Sequence, residues 1–382
     1  LGHYHGVLKN WVELQHEYQC FFFVADWHAL TTHYDDPSMV PQSTWNMVID
    51  WLAAGVDPKK ATVFVQSHVA EHAELHLLLS MITPLGWLER VPTYKDQQEK
   101  LKEKDLSTYG FLGYPLLQAA DILVYRAGMV PVGEDQVVHV ELTREVARRF
   151  NHIYGREPDF EEKAEQAVKK MGKKNAKAFN GLRRTYQEQG DSEALAAARA
   201  LLESQQNIGA ADRDRLFGYL EGGGRVILPE PQPLLTKASK MPGLDGQKMS
   251  KSYDNTIPLD ASPEAVEKQM RTMPTDPARV RRNDPGNPDI CPVWQFHEVY
   301  SDENTRDWVQ QGCRSAGIGC IECKQPVIDA VLEELRPMQQ RGHEYAAQPD
   351  LVREIIDEGC ERARVIARET MAEVRQAMSL SY

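Results

Sequence analysis

Along the first 150 positions the apolar residues keep two different rhythms. Short continuous runs, Phe21-Phe22-Phe23-Val24-Ala25 and Ala61-Thr62-Val63-Phe64-Val65-Gln66, have the length of strands and stop at polar side chains. Such runs predict buried strands. Longer stretches around them, Thr44 to Ala54 and Ala70 to Thr83, predict helices, as does Val137 to Asn151. Ile122 to Tyr125, followed by Val130-Pro131-Val132-Gly133, predicts further strand and loop. Strands alternating with helices predict an α/β domain, a doubly wound parallel sheet covered by helices. Ligands of such sheets bind beyond the carboxyl ends of the strands, so the strand-to-helix loops are where chemistry is expected.

The pattern changes at Arg156. Asp159-Phe160-Glu161-Glu162-Lys163 opens a charged helical stretch, and Asp191-Ser192-Glu193 caps a run rich in Ala and Leu. Gly222-Gly223-Gly224 and Pro229-Glu230-Pro231-Gln232-Pro233 close the segment. Residues 156–233 therefore read as a helical insertion between two parts of one domain, 1–155 and 234–257. Its charges are expected to be a solvated surface. Residues 258–382 read as all-α. There Val352, Ile355, Ile356, Cys360, Ala363 and Ile366 recur at spacings of three and four, one face of a long amphipathic helix.

Charge and cysteine usage narrow the function classes. With 44 Lys and Arg against 56 Asp and Glu in 382 residues, the net charge is −12. General affinity for nucleic acid is not expected from such a chain, although a local basic face can act inside an acidic whole. No apolar run approaches the roughly 20 residues of a membrane helix. No signal peptide is visible, and six Cys without the spacing of a small secreted domain suggest a reducing, cytoplasmic setting.

Lys248-Met249-Ser250-Lys251-Ser252 is the most specific string, and the Gly-rich Pro242-Gly243-Leu244-Asp245-Gly246 before it suits a mobile loop. Two lysines three positions apart can reach the oxygens of a triphosphate, with Ser hydroxyls and backbone N–H groups as further donors. Gly133-Glu134-Asp135-Gln136 precedes a helix; Gly133 permits close approach of a ribose, Asp135 accepts from hydroxyls, and Gln136 both donates and accepts. Cys291, Cys313, Cys320 and Cys323 follow the spacing C-x21-C-x6-C-x2-C, with Gly312, Gly317 and Gly319 between them to let the chain turn. Four clustered cysteines in a reducing setting favour a metal, and spacing leaves zinc and an iron–sulfur cluster both open. Cys20 and Cys360 lie apart, as small buried hydrophobes.

Lys248 to Ser252 resembles the signature loop of class I aminoacyl-tRNA synthetases. Leu1-Gly2-His3 fits the last three positions of that class's second signature, His-x-Gly-His. Gly133 to Gln136, with His139, Glu141 to Arg144 and Arg149-Phe150-Asn151, is similar to the nucleotide- and substrate-contacting segment of the tryptophan and tyrosine members. Tyr114-Pro115-Leu116-Leu117-Gln118-Ala119-Ala120-Asp121 resembles the pocket helix of the tryptophan branch. Asp26-Trp27-His28-Ala29 and Gln66-Ser67 resemble two more of its pocket segments.

The resemblance implies a Rossmann-like catalytic domain and a helical anticodon-binding domain. It implies an aminoacyl-tRNA ligase that joins L-tryptophan to tRNA(Trp) with ATP and Mg²⁺, as a homodimer without membrane or DNA partners. His3, Lys248 and Lys251 would be catalytic. Gly2, His3, Gly133, Glu134, Asp135, Met241, Met249, Ser250 and Ser252 would join the two lysines around ATP. Asp121 would accept from the indole N–H, with Tyr114, Gln118, Gln136 and His28 completing the tryptophan pocket. It also implies a [4Fe–4S] cluster on the four cysteines, with Zn²⁺ the alternative. A tyrosyl enzyme on the same scaffold, a small-molecule adenylyltransferase and a non-catalytic RNA-binding paralogue are the competing functions.

Overall fold

The structure, a computed structural model, describes residues 1–91, 107–156, 159–235, 241–250 and 254–381. The chain divides into two compact units. The first comprises Leu1–Val24, Ser38–Val65 and Thr236–Cys360. Its strands β1 (Cys20–Val24) and β2 (Ala61–Val65) pair in parallel, Cys20 opposite Ala61 through Val24 opposite Val65. β2 is buried at all five positions, as a strand covered on both faces should be, and β1 alternates. Between them in sequence, helix Val40–Ala54 buries Val48, Trp51, Leu52, Ala53 and Ala54 and stops at Gly55, whose φ of +113° suits glycine.

The same unit has a second core. Leu1, Met241, Met249 and Ile257 pack with Val266 and Met270 of helix Pro263–Thr272, with Val293 and Phe296 of helix Pro292–Tyr300, and with Val327, Ile328, Val331 and Leu335 of helix Cys320–Ala346. The signature loop is therefore rooted, through Met249, in the helical part of the chain. The expected amphipathic helix is Pro349–Ala377. Val352, Ile355, Ile356, Cys360 and Ala363 are buried along it. Beyond them Ala367 takes over from Ile366, which is only half-buried.

The second unit comprises Ala25–Pro37, Gln66–Leu235 and Glu361–Tyr382. Strands β3 (Met129–Val132) and β4 (Gln232–Leu235) pair in parallel, so the whole helical insertion belongs to the connection between two adjacent strands. Ile122 and Leu123, expected in a strand, instead end helix Tyr109–Leu123. Ala119, Ala120 and Leu123 are buried at helical spacing, and Thr108 caps the helix by accepting from the Phe111 N–H at 3.2 Å. A short apolar run by itself does not separate strand from helix, and here the longer helical frame prevails.

Within the insertion, helices Phe160–Lys170, Lys173–Gln189, Ser192–Glu203 and Ala210–Leu220 enclose a core of their own around Phe179, Ala198, Leu202, Leu216 and Leu220. Asp191 caps the third helix as expected, accepting from the N–H groups of Glu193 and Ala194. At the neck of the insertion backbones touch: Arg225 N–H donates to the Gly155 carbonyl at 2.8 Å. A Cβ on Gly218 would fall inside the Gly224 carbonyl, so only glycine fits there.

Candidate active site and cysteine cluster

In the second unit the chemistry gathers on Asp121. Helix Tyr109–Leu123 places this carboxyl in its last turn, 4% exposed. Its Oδ1 accepts from Gln66 Nε2 at 2.7 Å and from His72 Nδ1 at 2.6 Å; its Oδ2 accepts from His28 Nε2 at 2.8 Å. Burial pushes the carboxyl's pKa up, but the hydrogen bonds from His28 and His72 outweigh it and hold the group down at about 2. A carboxylate can only accept, so His72 Nδ1 carries the proton. In a neutral ring Nε2 is then an acceptor, and the Tyr125 hydroxyl donates to it at 2.6 Å.

Gln66 is fixed at both ends. The Trp27 N–H donates to its Oε1 at 3.2 Å, which leaves its amide nitrogen facing Asp121. Asp26 Oδ1 accepts from the N–H groups of Trp27 and Ser67, joining the loop after β1's sequence to the loop after β2's. The partners of Asp121 differ in access. His72 is fully enclosed, whereas 21% of the His28 side chain is exposed. Oδ2 is thus the oxygen bonded to the partly exposed histidine.

The Tyr114 ring stands 5.7 Å from that of His139, and Gln118 and Gln136 are half-buried. Glu134 is exposed in a short 3₁₀ turn, Glu134–Gln136, that follows Gly133. The side chain of Asp135 lies outside the described residues. Gln66 had a sequence signal, as the polar end of an apolar run. His72 and Tyr125 carried none, because their role depends on where the helix brings Asp121.

The first unit holds the two signature segments. The chain is helical from Gly2, so His3 sits in a first turn, exposed. Gly2 N–H points to Met249 Sδ at 3.0 Å, and a Cβ on Gly2 would lie 3.2 Å from the Met249 side chain. The two signatures therefore touch, and glycine permits it. Met249 N–H donates to the Met241 carbonyl at 3.1 Å. Buried Asn255 staples the base of the loop: its Oδ1 accepts from Ser250 N–H at 2.7 Å, and its Nδ2 donates to Asp245 and to the Lys248 carbonyl. Lys248 is exposed, while Lys251 and Ser252 lie outside the described residues. His5, which sequence reasoning passed over, fastens the N-terminal helix by contacts of 2.9 Å with both Tyr300 and Glu334.

The four cysteines line one small cavity together with Thr275, Asp276, Arg279 and Val293. Cys291 starts helix Pro292–Tyr300, Cys313 lies in the last turn of helix Glu303–Arg314, and Cys320 and Cys323 occupy the first turn of helix Cys320–Ala346. Burial, reinforced by the three neighbouring thiols, pushes the Cys323 thiol up to about 12. Among the described residues no three His, Cys, Asp or Glu side chains stand as a group that could hold a metal ion. Arg279, 9% exposed, reaches Cys313 Sγ with Nη1 at 3.7 Å and donates through Nη2 to the carbonyls of Arg282 and Ile318.

Of the three glycines expected to let the chain turn, Gly317 and Gly319 lie in the connection between two helices, whereas Gly312 lies inside helix Glu303–Arg314. The left-handed residue between Cys313 and Cys320 is Ala316, at φ +59°. Gly312 serves close contact instead, since a Cβ there would come within 2.8 Å of Ile318. Gly286, unremarked in the sequence, has the same role beside Cys313 Sγ, 2.6 Å from where its Cβ would stand. Cys20 and Cys360 are buried and away from this cavity.

The family described as tRNA synthetases class I (W and Y) matches residues 1–178 and 196–336, and the chain is a member of that class. A tryptophan–tRNA ligase of Ralstonia nicotianae is 70% identical over 382 residues, spanning 100% of this chain and 96% of that protein. The tryptophan–tRNA ligase of Thermotoga maritima is 44% identical over 384 residues, with the same coverage. The crystal structure of tryptophanyl-tRNA synthetase from Campylobacter jejuni complexed with ADP and tryptophane superposes with a TM-score of 0.72 at 27% identity, covering 99% of this chain and 95% of that one. Within the class, the chain belongs to the tryptophan–tRNA ligase family.

Proposed function

We infer that this chain activates L-tryptophan with ATP and transfers the tryptophanyl group to tRNA(Trp). The observation that carries the reading is Asp121, a buried carboxylate held ionised by three donors, one of them the partly exposed His28. Indole N–H is a donor only, so a carboxyl that stays ionised at neutral pH suits it as acceptor. An analogue without that donor would leave a buried charge short of a partner.

In the first step a tryptophan carboxylate oxygen attacks the α-phosphorus of ATP. The bond to the bridging oxygen breaks, pyrophosphate leaves, and tryptophanyl-adenylate remains. In the second step a ribose hydroxyl of the tRNA's terminal adenosine takes the acyl group and AMP departs. Catalysis rests on positioning and on neutralising phosphate charge. Lys248, Lys251 and His3 are assigned to the phosphates, which carry Mg²⁺ in solution. Gly2, Gly133, Glu134, Asp135, Met241, Met249, Ser250 and Ser252 are assigned to the rest of the nucleotide, and Tyr114, Gln118, Gln136 and His28 to tryptophan beside Asp121.

ATP–pyrophosphate exchange with each of the twenty amino acids tests the assignment. Exchange with tryptophan is expected; exchange with tyrosine and not tryptophan overturns it.

The four cysteines are assigned to a [4Fe–4S] cluster. In favour of a group held by sulfur, the four thiols line one cavity, and the buried Arg279 guanidinium, 3.7 Å from Cys313 Sγ, offsets thiolate charge. When bound, the cluster ties three helices through iron–sulfur bonds. Iron and sulfide analysis of anaerobically purified protein decides: about four of each per chain is expected, and zinc without sulfide refutes the cluster. The family resemblance adds a homodimer in the cytoplasm, which sedimentation tests.

A further inference from the structure

The insertion carries one feature that tryptophan activation does not use. From Lys169 to Arg184 the sequence holds seven Lys and Arg and no Asp or Glu, inside a chain of net charge −12. Lys169, Lys170, Lys173, Lys174, Lys177 and Arg184 are all exposed. Lys170 pairs with Asp212 at 2.6 Å, and Arg183 is taken up by stacking on Tyr219 at 3.6 Å. Among the described residues no carboxylate pairs with the other five cations.

On helix Lys173–Gln189 the positions 173, 177, 180 and 184 follow one another at steps of four, three and four, which puts them on one face. Phe179, the buried anchor of the insertion's core, points the other way. Lys173, Lys177, Asn180 and Arg184 thus form an exposed row about 16 Å long, with Lys174 beside it.

Helix stability does not account for the row. Lys169 and Lys170 suit the C-terminal end of their helix, but Lys173 and Lys174 open the next one, where the backbone already presents positive charge and where no acidic residue is present. Lys173 and Lys177 repel each other one turn apart. A face merely meant for water would intersperse both signs, as other parts of this insertion do. The apolar content is equally telling: among the described residues no exposed large hydrophobic side chain lies between Ile153 and Leu235. A protein hot spot or an embedded lipid contact would need one.

We propose that the row Lys173, Lys177, Asn180 and Arg184, with Lys174 beside it, binds the phosphate backbone of the tRNA substrate. The proposal rests on tRNA being the acceptor. An acidic protein that handles a polyanion needs a local basic face, and this one is narrow and polar, with the exposed Glu188 one turn beyond Arg184 as the carboxylate at its end. Such contacts read no bases; they raise affinity and set register, and they make binding depend on salt.

The test is the quadruple variant Lys173→Gln, Lys174→Gln, Lys177→Gln and Arg184→Gln in the full-length protein. Tryptophan-dependent ATP–pyrophosphate exchange, which needs no tRNA, should be unchanged. It reports separately on whether the enzyme reading holds. The KM for tRNA in aminoacylation should rise at least tenfold near 150 mM salt, and the salt dependence of tRNA binding should flatten by roughly three in log–log slope. Lys173→Arg, Lys174→Arg and Lys177→Arg together should retain native affinity. An unchanged tRNA KM and salt slope in the quadruple variant overturns the proposal. So does a loss of binding to anionic phospholipid vesicles with tRNA affinity intact.

Discussion

Asp121 combines two properties that usually exclude each other, since it is enclosed by protein and yet charged. The reconciliation is local: three donors, two of them imidazoles, supply what water would. Because its folded pKa of about 2 lies below the ordinary 3.8, the carboxyl stabilises the folded state at neutral pH. That contribution, about 2 kcal/mol by linkage, is complete above the unfolded value and is lost as pH falls from near 4 towards 2. The stability difference between the native protein and Asp121→Asn should therefore be flat above pH 4 and shrink below it, in denaturant titrations at stepped pH.

His72 is the positioning residue behind Asp121. His72→Gln would strand the Tyr125 hydroxyl or the carboxylate, at about 1–3 kcal/mol. Exchange kinetics should show a raised KM for tryptophan with the KM for ATP unmoved, and thermal unfolding a lower Tm. Equal shifts in both KM values would assign His72 to general scaffolding.

At the scale of elements, how much the sequence disclosed depended on whether the signal was local. β1, β2 and the amphipathic helix near the C-terminus were readable because each needs only its own periodicity. Asp191 was readable as a cap for the same reason. Ile122 was misplaced because four apolar residues fit either period, and Gly312 was misread because close packing against Ile318 leaves no trace in its own neighbourhood. Lys248, Asp121 and the four cysteines were found by motif, whereas His72 and Arg279 act across distances in sequence that no motif spans, and Asn255, only five residues from Ser250, stands just past the end of the signature string.

The insertion's private core leads to an element-scale prediction. The buried apolar residues of that core all come from the insertion itself, from its four helices and from Met171 and Ile208 between them, and Phe179 is fully buried among them. Phe179→Ala should destabilise the insertion by about 3–5 kcal/mol. Hydrogen exchange should then show lost protection over residues 160–220. Tryptophan-dependent pyrophosphate exchange below the new transition should stay within about twofold of native, since distant sites couple weakly. Loss of protection spreading to β1 and β2 would contradict a self-contained insertion.

At the scale of the whole molecule, chemistry is divided between the two compact units. Gly2, His3 and the 248–252 loop belong to segments of the first, Asp121 and its clamps to segments of the second. Phosphate handling and indole reading are thus assigned to different parts of the chain, and mutations should separate them. Lys251 is assigned to the phosphates, where its charge would matter most as pyrophosphate leaves, so Lys251→Ala should cut the exchange kcat by about 10²–10³-fold. The tryptophan Kd, measured by equilibrium dialysis without ATP, should not move. Asp121→Ala should raise that Kd by about 10–100-fold, the worth of a buried charged acceptor, and leave the ATP KM near native. In the double variant the two losses should multiply, because neither residue acts through the other's substrate. If Lys251→Ala weakened tryptophan binding as much as Asp121→Ala does, the division of labour between the two segments would be wrong, and the loop would have to be counted part of the amino-acid pocket.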